Sequence, residues 1–554
     1  MNVSPKSTIE NLSDLSPADR NVAIVEALLI NREIPDVDGF LNPPAVDEDF
    51  LKKAQALFGD EMVRAVELIN NQLLTTDQGS VVIHGDYDVD GVSATAILWE
   101  TIYYELGYKN VIPFIPHRVD HGYGVSEESI NDILQQLTEK GLKPGLLITV
   151  DCGITGKKSI EYAKDMGFTV IVTDHHTRPE KDEDLPDAAA ILHSYKLCGG
   201  GVAWVLSRSL VDGNVRKGVD LAGMATLADI QQLTDFNRSL VIEGLKQLTH
   251  THRLGLQALY DLAGIRGKEI GVYEVGFVIG PRINATGRLE HALDALRLLV
   301  VKNIAQAKHL AQKLNSLNYE RQAMTKQAVD QAVQLVEDNW DHDSPIVVAS
   351  SEWHEGIIGL IAGKLTERFK APSMAITISD EGAKGSARSI EGINVVELLR
   401  TQEELFENVG GHAAAAGFSL STENVDRLKA ALSEIKLSQL PAFEAEAAVD
   451  ADLELSPQYV NWDLYQVLAK LEPFGVGNPR PTFYAKGLRV VEKRVVGKTG
   501  DHLSLTFENN LRGIGFNLGE KLDELDEEVE IVYIIDKDDY RGGNNLQLKV
   551  KEIG

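Results

Sequence analysis

Five short apolar runs, each separated from the next by a helix-like stretch, restrict what this chain can fold into more than any other feature. They are Val81–Ile83, Val111–Ile115, Leu146–Val150, Thr169–Val172 and Ala188–Leu192. Such runs suit strands buried on both faces, and their spacing predicts a parallel, doubly wound sheet. The first run leads into His84-Gly-Asp-Tyr-Asp-Val-Asp-Gly91, followed by an apolar, helix-like run from Val92 to Leu106. Three carboxylates and an imidazole are thereby set at the C-terminal end of a strand, where open α/β sheets put their ligands. Asp86, Asp88 and Asp90 would repel one another if brought together without a cation, and carboxylates with a neutral imidazole suit Mn²⁺ or Mg²⁺. The plain alternative is an Asp-rich turn punctuated by Gly91.

Other apolar runs also end in polar clusters. Leu147-Ile148-Thr149-Val150 meets Asp151-Cys152-Gly153, Val170-Ile171-Val172-Thr173 meets Asp174-His175-His176, and Met224-Ala225-Thr226-Leu227-Ala228 meets Asp229. One Asp after a strand also reads as a helix N-cap, and adjacent histidines can be buried without a ligand. Several such clusters aimed at one end of one sheet argue for a site.

At 554 residues the chain needs three or four cores. Its net charge of −29 excludes a surface coated for nonspecific nucleic-acid binding, yet a local basic groove can coexist with an acidic exterior. No apolar run approaches the roughly 18 residues of a membrane span. The segment MNVSPKSTIENLSDLS lacks the order of a signal peptide. Cys152 and Cys198 are too few for a disulfide framework. A cytoplasmic protein without a membrane partner is expected.

Residues 1–75 read as short polar helices with a linker at Leu41-Asn42-Pro43-Pro44. Between Gly287 and Pro345 there is neither Gly nor Pro, and Ile304, Ala307, Leu310, Ala311, Leu314 and Leu317 follow helical spacing. The spacing predicts a long helix over 301–340 that bridges two lobes, the second being a β/α unit over 341–440. Residues 441–554 carry β-like runs at Leu488–Val496, His502–Phe507, Leu511–Phe516, Glu528–Ile535 and Asn545–Ile553, with a helix-like Gly519–Leu525. Five strands and one helix fit an OB-type barrel or another five-stranded β module.

The ordered motifs H-G-D-Y-D-V-D-G, V-D-C-G, T-D-H-H and L-A-D resemble the DHH phosphoesterase superfamily and, within it, the RecJ-type exonucleases. Further matching segments are Ile115–Arg118 with His121–Gly124, Gly280–Arg288, Trp353–Gly359, Gly385–Ser389, Gly410–Gly417 and Glu472–Pro479. The resemblance covers about residues 75–554 and implies a DHH domain over 76–300, a DHH-associated substrate-binding domain and a C-terminal OB-type nucleic-acid-binding domain. It implies a two-metal phosphodiesterase using Mn²⁺ or Mg²⁺, specific for single-stranded DNA, cutting 5′ to 3′ and releasing 5′-mononucleotides in recombination and repair.

By the same resemblance, His84, Asp88 and Asp151 hold one metal. Asp90, Asp151, His175 and Asp229 hold the other, with Asp151 bridging. His176 faces the scissile phosphate, Asp174 orients an imidazole, and Asp86 supports the ligands. Arg282 and Arg288 approach the backbone of the strand, while Arg118, Ser386 and Arg388 form a pocket for the terminal 5′-phosphate. His354, Gly411 and His412 line the cleft between lobes. A single-strand-binding protein and a RecQ-type helicase are implied partners of a monomer. Two positions depart from the pattern: Gln231-Gln232 stands where Val-Pro is expected, and His193 where Asn followed by Pro is more usual. Rival readings are a DHH phosphodiesterase for short oligonucleotides or cyclic dinucleotides, an inorganic pyrophosphatase, and a non-catalytic replication scaffold.

Overall fold

The structure, a computed structural model, describes residues 3–9, 11–74, 79–439, 449–497, 500–508, 510–538 and 545–554. The chain divides into two units. One comprises Met1–Ala45, Ile230–Ile242 and Ala447–Gly554, the other Val46–Asp229 and Glu243–Glu446.

The larger unit holds the expected sheet. Its strands are β1 (Gly79–His84), β2 (Val111–Phe114), β3 (Lys143–Val150), β4 (Thr169–Asp174) and β5 (Ala190–His193). All neighbours are parallel, in the order β2-β1-β3-β4-β5. Val81, Val82, Ile83, Leu147, Ile148 and Ile171 are buried, as strands covered on both faces require. The order reverses between β1 and β3, so the connections leaving their C-terminal ends turn to opposite faces of the sheet and leave a crevice there. Register sets His84 beside Thr149 and Val150 beside Thr173, so the polar residues after β1, β3 and β4 emerge level with one another.

Helices Val89–Glu100, Gly199–Ser209 and Val219–Ala228 are almost wholly buried. The last corrects a sequence expectation. Met224–Ala228 is not a strand, and Asp229 stands at the C-cap of a helix. Ala222, Gly223 and Ala225 bring few β-branched side chains, and a helix enclosed on every side loses the amphipathic period that would reveal it.

The long helix runs Ile304–Asn339, with Asn303 accepting the N-cap bond from the Gln306 N–H. Its first half buries Leu310, Ala311 and Leu314. Its second half gives Ala328, Ala332 and Val336 to a core with Trp353, Ile361 and Leu365. The same helix therefore serves two hydrophobic cores, as the Gly- and Pro-free stretch predicts. In the second lobe Ile346–Ser350 pairs in parallel with Ser373–Ser379, and Gly382–Arg388, Ala415–Leu420 and Asn408–His412 extend the sheet antiparallel.

The smaller unit contains the barrel. Phe483–Val496 pairs antiparallel with both His502–Phe507 and Glu528–Lys537; Arg512–Gly515 and Leu546–Ile553 complete the circuit. The helix-like stretch is a 3₁₀ turn, Gly519–Glu524. Residues 1–75 are not one module. Helix Pro17–Asn31 sends Ile24, Leu28 and Leu29 into the core formed by Leu464, Leu468, Phe483 and Tyr533, whereas the residues from Val46 on belong to the larger unit.

Arg238, buried in the smaller unit, joins three of its segments. Its Nε donates to the Phe40 carbonyl at 2.8 Å, one terminal nitrogen donates to the Glu472 carbonyl at 2.9 Å, and the guanidinium lies 4.0 Å from the Phe40 ring. Arg238→Ala is expected to destabilise this unit by about 3 kcal/mol or more, since two bonds from a charged donor vanish and their carbonyls stay behind. Calorimetric melting of parent and variant measures it.

Candidate metal centre and cleft

Five acidic residues and two histidines converge at the crevice. Asp86, Asp88 and Asp151 form one group whose candidate ligand atoms all lie within 4.8 Å of one another; Asp90, His175 and Asp229 form a second; Asp151, His175 and His176 form a third. His175 Nε2 stands 3.1 Å from Asp151 Oδ1 and 3.6 Å from both Asp90 Oδ2 and Asp229 Oδ2. Asp151 and His175 are thus each shared between groups.

Local backbone explains the arrangement. Asp88 caps helix Val89–Glu100, its Oδ1 accepting from the N–H groups of Asp90 and Gly91. Asp90 is gripped by the Gly199 and Gly200 N–H groups at 2.8 and 2.6 Å. These glycines are required: a Cβ on Gly199 would lie 2.4 Å from Asp151 Cβ. Asp151 itself adopts φ 63°, the left-handed region that L-residues seldom occupy. Asp174 Oδ1 accepts from His176 Nδ1 at 2.8 Å, and Tyr123 Oη lies 3.0 Å from His176 Nε2.

Burial pushes the Asp86 carboxyl up to about 8, with help from Asp88, and pushes Asp90 and Asp151 well above the carboxylate range. Burial also lowers His84 and His175 to about 4. For His176, burial lowers the pKa but the Asp174 carboxylate outweighs it and holds the ring at about 9. Buried carboxylates so close need positive charge, and Asp86 Oδ1 and Asp151 Oδ1 accept no hydrogen bond among the described residues. Oxygen-rich donors with imidazole fit Mn²⁺ or Mg²⁺.

Protein stripped of cations is accordingly expected to lose stability as pH rises from 6.5 to about 8. In that window folded Asp86, Asp90, Asp151 and His176 retain protons that the unfolded chain releases, so raising the pH favours unfolding. Below 6.5 the neutral His84 and His175 oppose the trend. Melting curves in chelator across this range should show a falling Tm, and saturating Mn²⁺ should flatten the slope.

Two residues are placed differently from what the resemblance implies. His84 lies outside all three groups. As the last residue of β1 it turns into the protein, with Nε2 3.1 Å from Ser129 Oγ and Nδ1 3.8 Å from Cys152 Sγ. Asp86, expected only to support ligands, instead joins Asp88 and Asp151. Missed by the sequence reading were Ser129, Tyr123 and the Gly199–Gly200 grip. Only the last left a signal, a run of three glycines before an apolar helix.

The proposed substrate residues separate into two sets. Arg282 is buried and committed to structure: its guanidinium donates to the Val278 carbonyl at 2.7 Å and to Asn315 Oδ1 at 3.0 Å. Arg118, Arg288 and Arg388 gather around one space. Arg118 lies 4.3 Å over the Tyr87 ring, and Gly287 packs so tightly on Tyr87 that a Cβ would meet its carbonyl at 2.5 Å. Arg288 donates to the Gly356 carbonyl at 3.1 Å, and a Cβ on Gly359 would lie 3.1 Å from Arg388 and 3.2 Å from Ser386. Arg388 donates to Ser386 Oγ at 3.0 Å. Burial, then the charges of Arg118, Arg321 and Arg388, lowers Arg288 to about 10. None of these four arginines forms a salt bridge among the described residues. A cluster of like charges unpaired by salt bridges is a site for an anion. His354 caps a 3₁₀ turn, its Nδ1 accepting from the Gly356 N–H, and Gly411 and His412 are exposed on strand Asn408–His412.

Three family models match the chain: "DHH family, N-terminal domain" over residues 80–228, "DHHA1 domain" over 343–436 and "RecJ OB domain" over 451–552. The single-stranded-DNA-specific exonuclease RecJ of Escherichia coli is 31% identical over 540 residues, covering 90% of this chain and 91% of that protein. The RecJ of Bacillus subtilis is 34% identical over 516 residues, covering 90% of this chain, and the match spans 63% of its length. The crystal structure of RecJ in complex with Mn²⁺ from Thermus thermophilus superposes with a TM-score of 0.80 at 28% identity, over 100% of this chain and 78% of that one. With the sheet, second lobe and barrel in the same order as these relatives, the chain belongs to the RecJ family of single-stranded-DNA-specific exonucleases.

Proposed function

We propose that this chain hydrolyses single-stranded DNA from the 5′ end, releases 5′-mononucleotides and acts in DNA recombination and repair. The observation that carries this reading is the juxtaposition, in one unit, of carboxylate–histidine groups sharing Asp151 and His175 with a cluster of arginines that form no salt bridge among the described residues. It is an enzyme, a metal-dependent phosphodiesterase, as its family and its site chemistry agree. Asp86, Asp88 and Asp151 would hold one divalent cation, and Asp90, Asp151, His175 and Asp229 the other. Two bound cations would supply a water of lowered pKa and charge compensation for the leaving oxygen.

The remaining roles belong to the protein's own groups. Asp151 lies between the two sets of ligands, which lets one anion serve both. The Gly199 and Gly200 N–H groups fix the Asp90 carboxylate. Asp174 holds a proton on His176, whose partly exposed ring is a donor for a phosphate oxygen. Arg118, Ser386 and Arg388 would clamp the terminal 5′-phosphate, and Arg288 a neighbouring phosphate, since an arginine fork can bond two oxygens at once. No helix among the described residues is long and apolar enough to cross a membrane. We place the enzyme in the cytoplasm as a monomer, with a single-strand-binding protein and a RecQ-type helicase as partners.

The test is digestion with Mn²⁺ of a 5′-labelled single strand, a 3′-labelled single strand, a blunt duplex and a dinucleotide. Labelled mononucleotide should appear at once from the 5′-labelled strand, late from the 3′-labelled strand, and not from the duplex. Preference for the dinucleotide would move the chain to a small-substrate role, and cleavage of none would leave a scaffold.

A further inference from the structure

Tyr273 and Phe277 form a bare aromatic step beside the cleft. Their rings stack at 5.2 Å with an interplanar angle of 24°, yet 65% and 70% of the residues' surface is exposed. Phe277 stands on the π-helix Glu274–Ile279 and Tyr273 at its N-cap, and this element runs directly into helix Gly280–Leu289. A π-helix inside an α-helical run is uncommon and is frequently found at functional sites. The step is rigidly mounted. Arg282 bonds the Val278 carbonyl and ties it to Asn315 of the long helix, and the Glu274 carboxylate accepts from the Gly271 N–H at 3.0 Å.

It is also continuous with the site. A Cβ on Gly280 would lie 3.7 Å from Val89, the residue between Asp88 and Asp90, and the Val89 N–H donates to Asn284 of the same helix. A rise of about 1.5 Å per residue sets Phe277 roughly 5 Å and Tyr273 roughly 10 Å along the helix from that contact. The turn before the step exposes Arg266, Lys268 and Glu269. Exposed aromatics that follow exposed cations by a few residues of chain, leading away from a phosphodiester-cleaving centre, match the chemistry of an unpaired nucleic-acid strand, whose bases stack on any aromatic face.

We infer that Tyr273 and Phe277 are a stacking platform for bases of the DNA strand downstream of the nucleotide being removed. This rests on the exonuclease reading and adds to it a reason for acting on strands rather than dinucleotides. A duplex, with its bases turned inward, gains nothing from the step.

The experiment compares the parent with Tyr273→Ala/Phe277→Ala on a twenty-nucleotide single strand and on a 5′-phosphorylated dinucleotide. Binding of the strand is read by fluorescence anisotropy in chelator, and hydrolysis of both substrates in Mn²⁺. The ratio of kcat/KM for the strand to that for the dinucleotide should fall about ten- to a hundredfold, with a matching loss of strand binding. Tyr273→Trp and Phe277→Trp should keep strand binding, Phe277→Leu should not, and a strand with abasic interior positions should be insensitive to the alanine pair. Unchanged strand binding, or rescue by Leu as good as by Trp, overturns the inference. If the parent cleaved neither substrate the exonuclease reading would fail, while the binding data would still decide the platform.

Discussion

Asp151→Asn is expected to cut hydrolysis of single-stranded DNA by about a hundred- to a thousandfold, the scale of losing one preorganised electrostatic group, and to raise the Tm of the cation-free protein. Both effects have one cause. The Asp151 carboxylate is buried, 3.1 Å from His175 and within the field of Asp86, Asp88, Asp90 and Asp229. With cations present, its charge is the one shared between two ligand groups; without them, burial and the neighbouring acids hold it protonated where the unfolded chain has released that proton, a cost to the fold that Asn does not carry. Asn has the same size, so the close packing on Gly199 is kept. Asn is also among the residues that best tolerate the left-handed conformation found here at φ 63°. Loss of activity with a gain in apo-stability is the signature of a functional residue held at a cost to the fold. Mononucleotide release in Mn²⁺ and calorimetry in chelator measure the two halves. Activity within tenfold of the parent would refute the sharing of Asp151, and a lower Tm in chelator would refute that cost.

Arg388→Ala is expected to lower kcat/KM for 5′-phosphorylated strands by about ten- to a hundredfold, from the roughly 1.5–3 kcal/mol of a charged hydrogen bond. Strands ending in a 5′-hydroxyl should change little. Arg388 already donates to Ser386 Oγ and to the Ala387 carbonyl, so its fork is held in place before any phosphate arrives. Its neighbours are other arginines rather than carboxylates, so nothing in the cleft competes for the guanidinium. Ser386→Ala should show the same preference at smaller size. Steady-state kinetics on matched phosphorylated and hydroxyl strands decides the matter. An equal loss on both would assign Arg388 to the strand backbone or to the second lobe's packing instead.

The arginine cluster also resolves the apparent conflict between a charge of −29 and a DNA substrate. The negative charge is spread over the whole chain, whereas Arg118, Arg288, Arg321 and Arg388 share one space and form no salt bridge among the described residues. Local field, not net charge, governs what enters a cleft.

Much of this was legible in the sequence, and for a definite reason. Parallel strands buried on both faces must be apolar along their length, so β1 to β5 announce themselves, and the residues directly after β1, β3 and β4 are carried to one edge by connectivity alone. The Gly- and Pro-free stretch likewise had to be a long helix, because two lobes needed a rigid link. Helix Val219–Ala228 was opaque, since burial on all sides erases periodicity, and Asp229 was found by its letters rather than by its element. Only the tertiary structure decided which acids meet. Asp86 and not His84 groups with Asp88 and Asp151, because β1 ends with His84 buried against Ser129 and the chain leaves the strand before Asp86. The division of residues 1–75 between two units, the commitment of Arg282 to Val278 and Asn315, and the exposure of Tyr273 and Phe277 likewise depend on contacts between residues far apart in the chain. Residue type and spacing fix the strands and the chemistry available at their ends; which side chains share that chemistry is settled by packing.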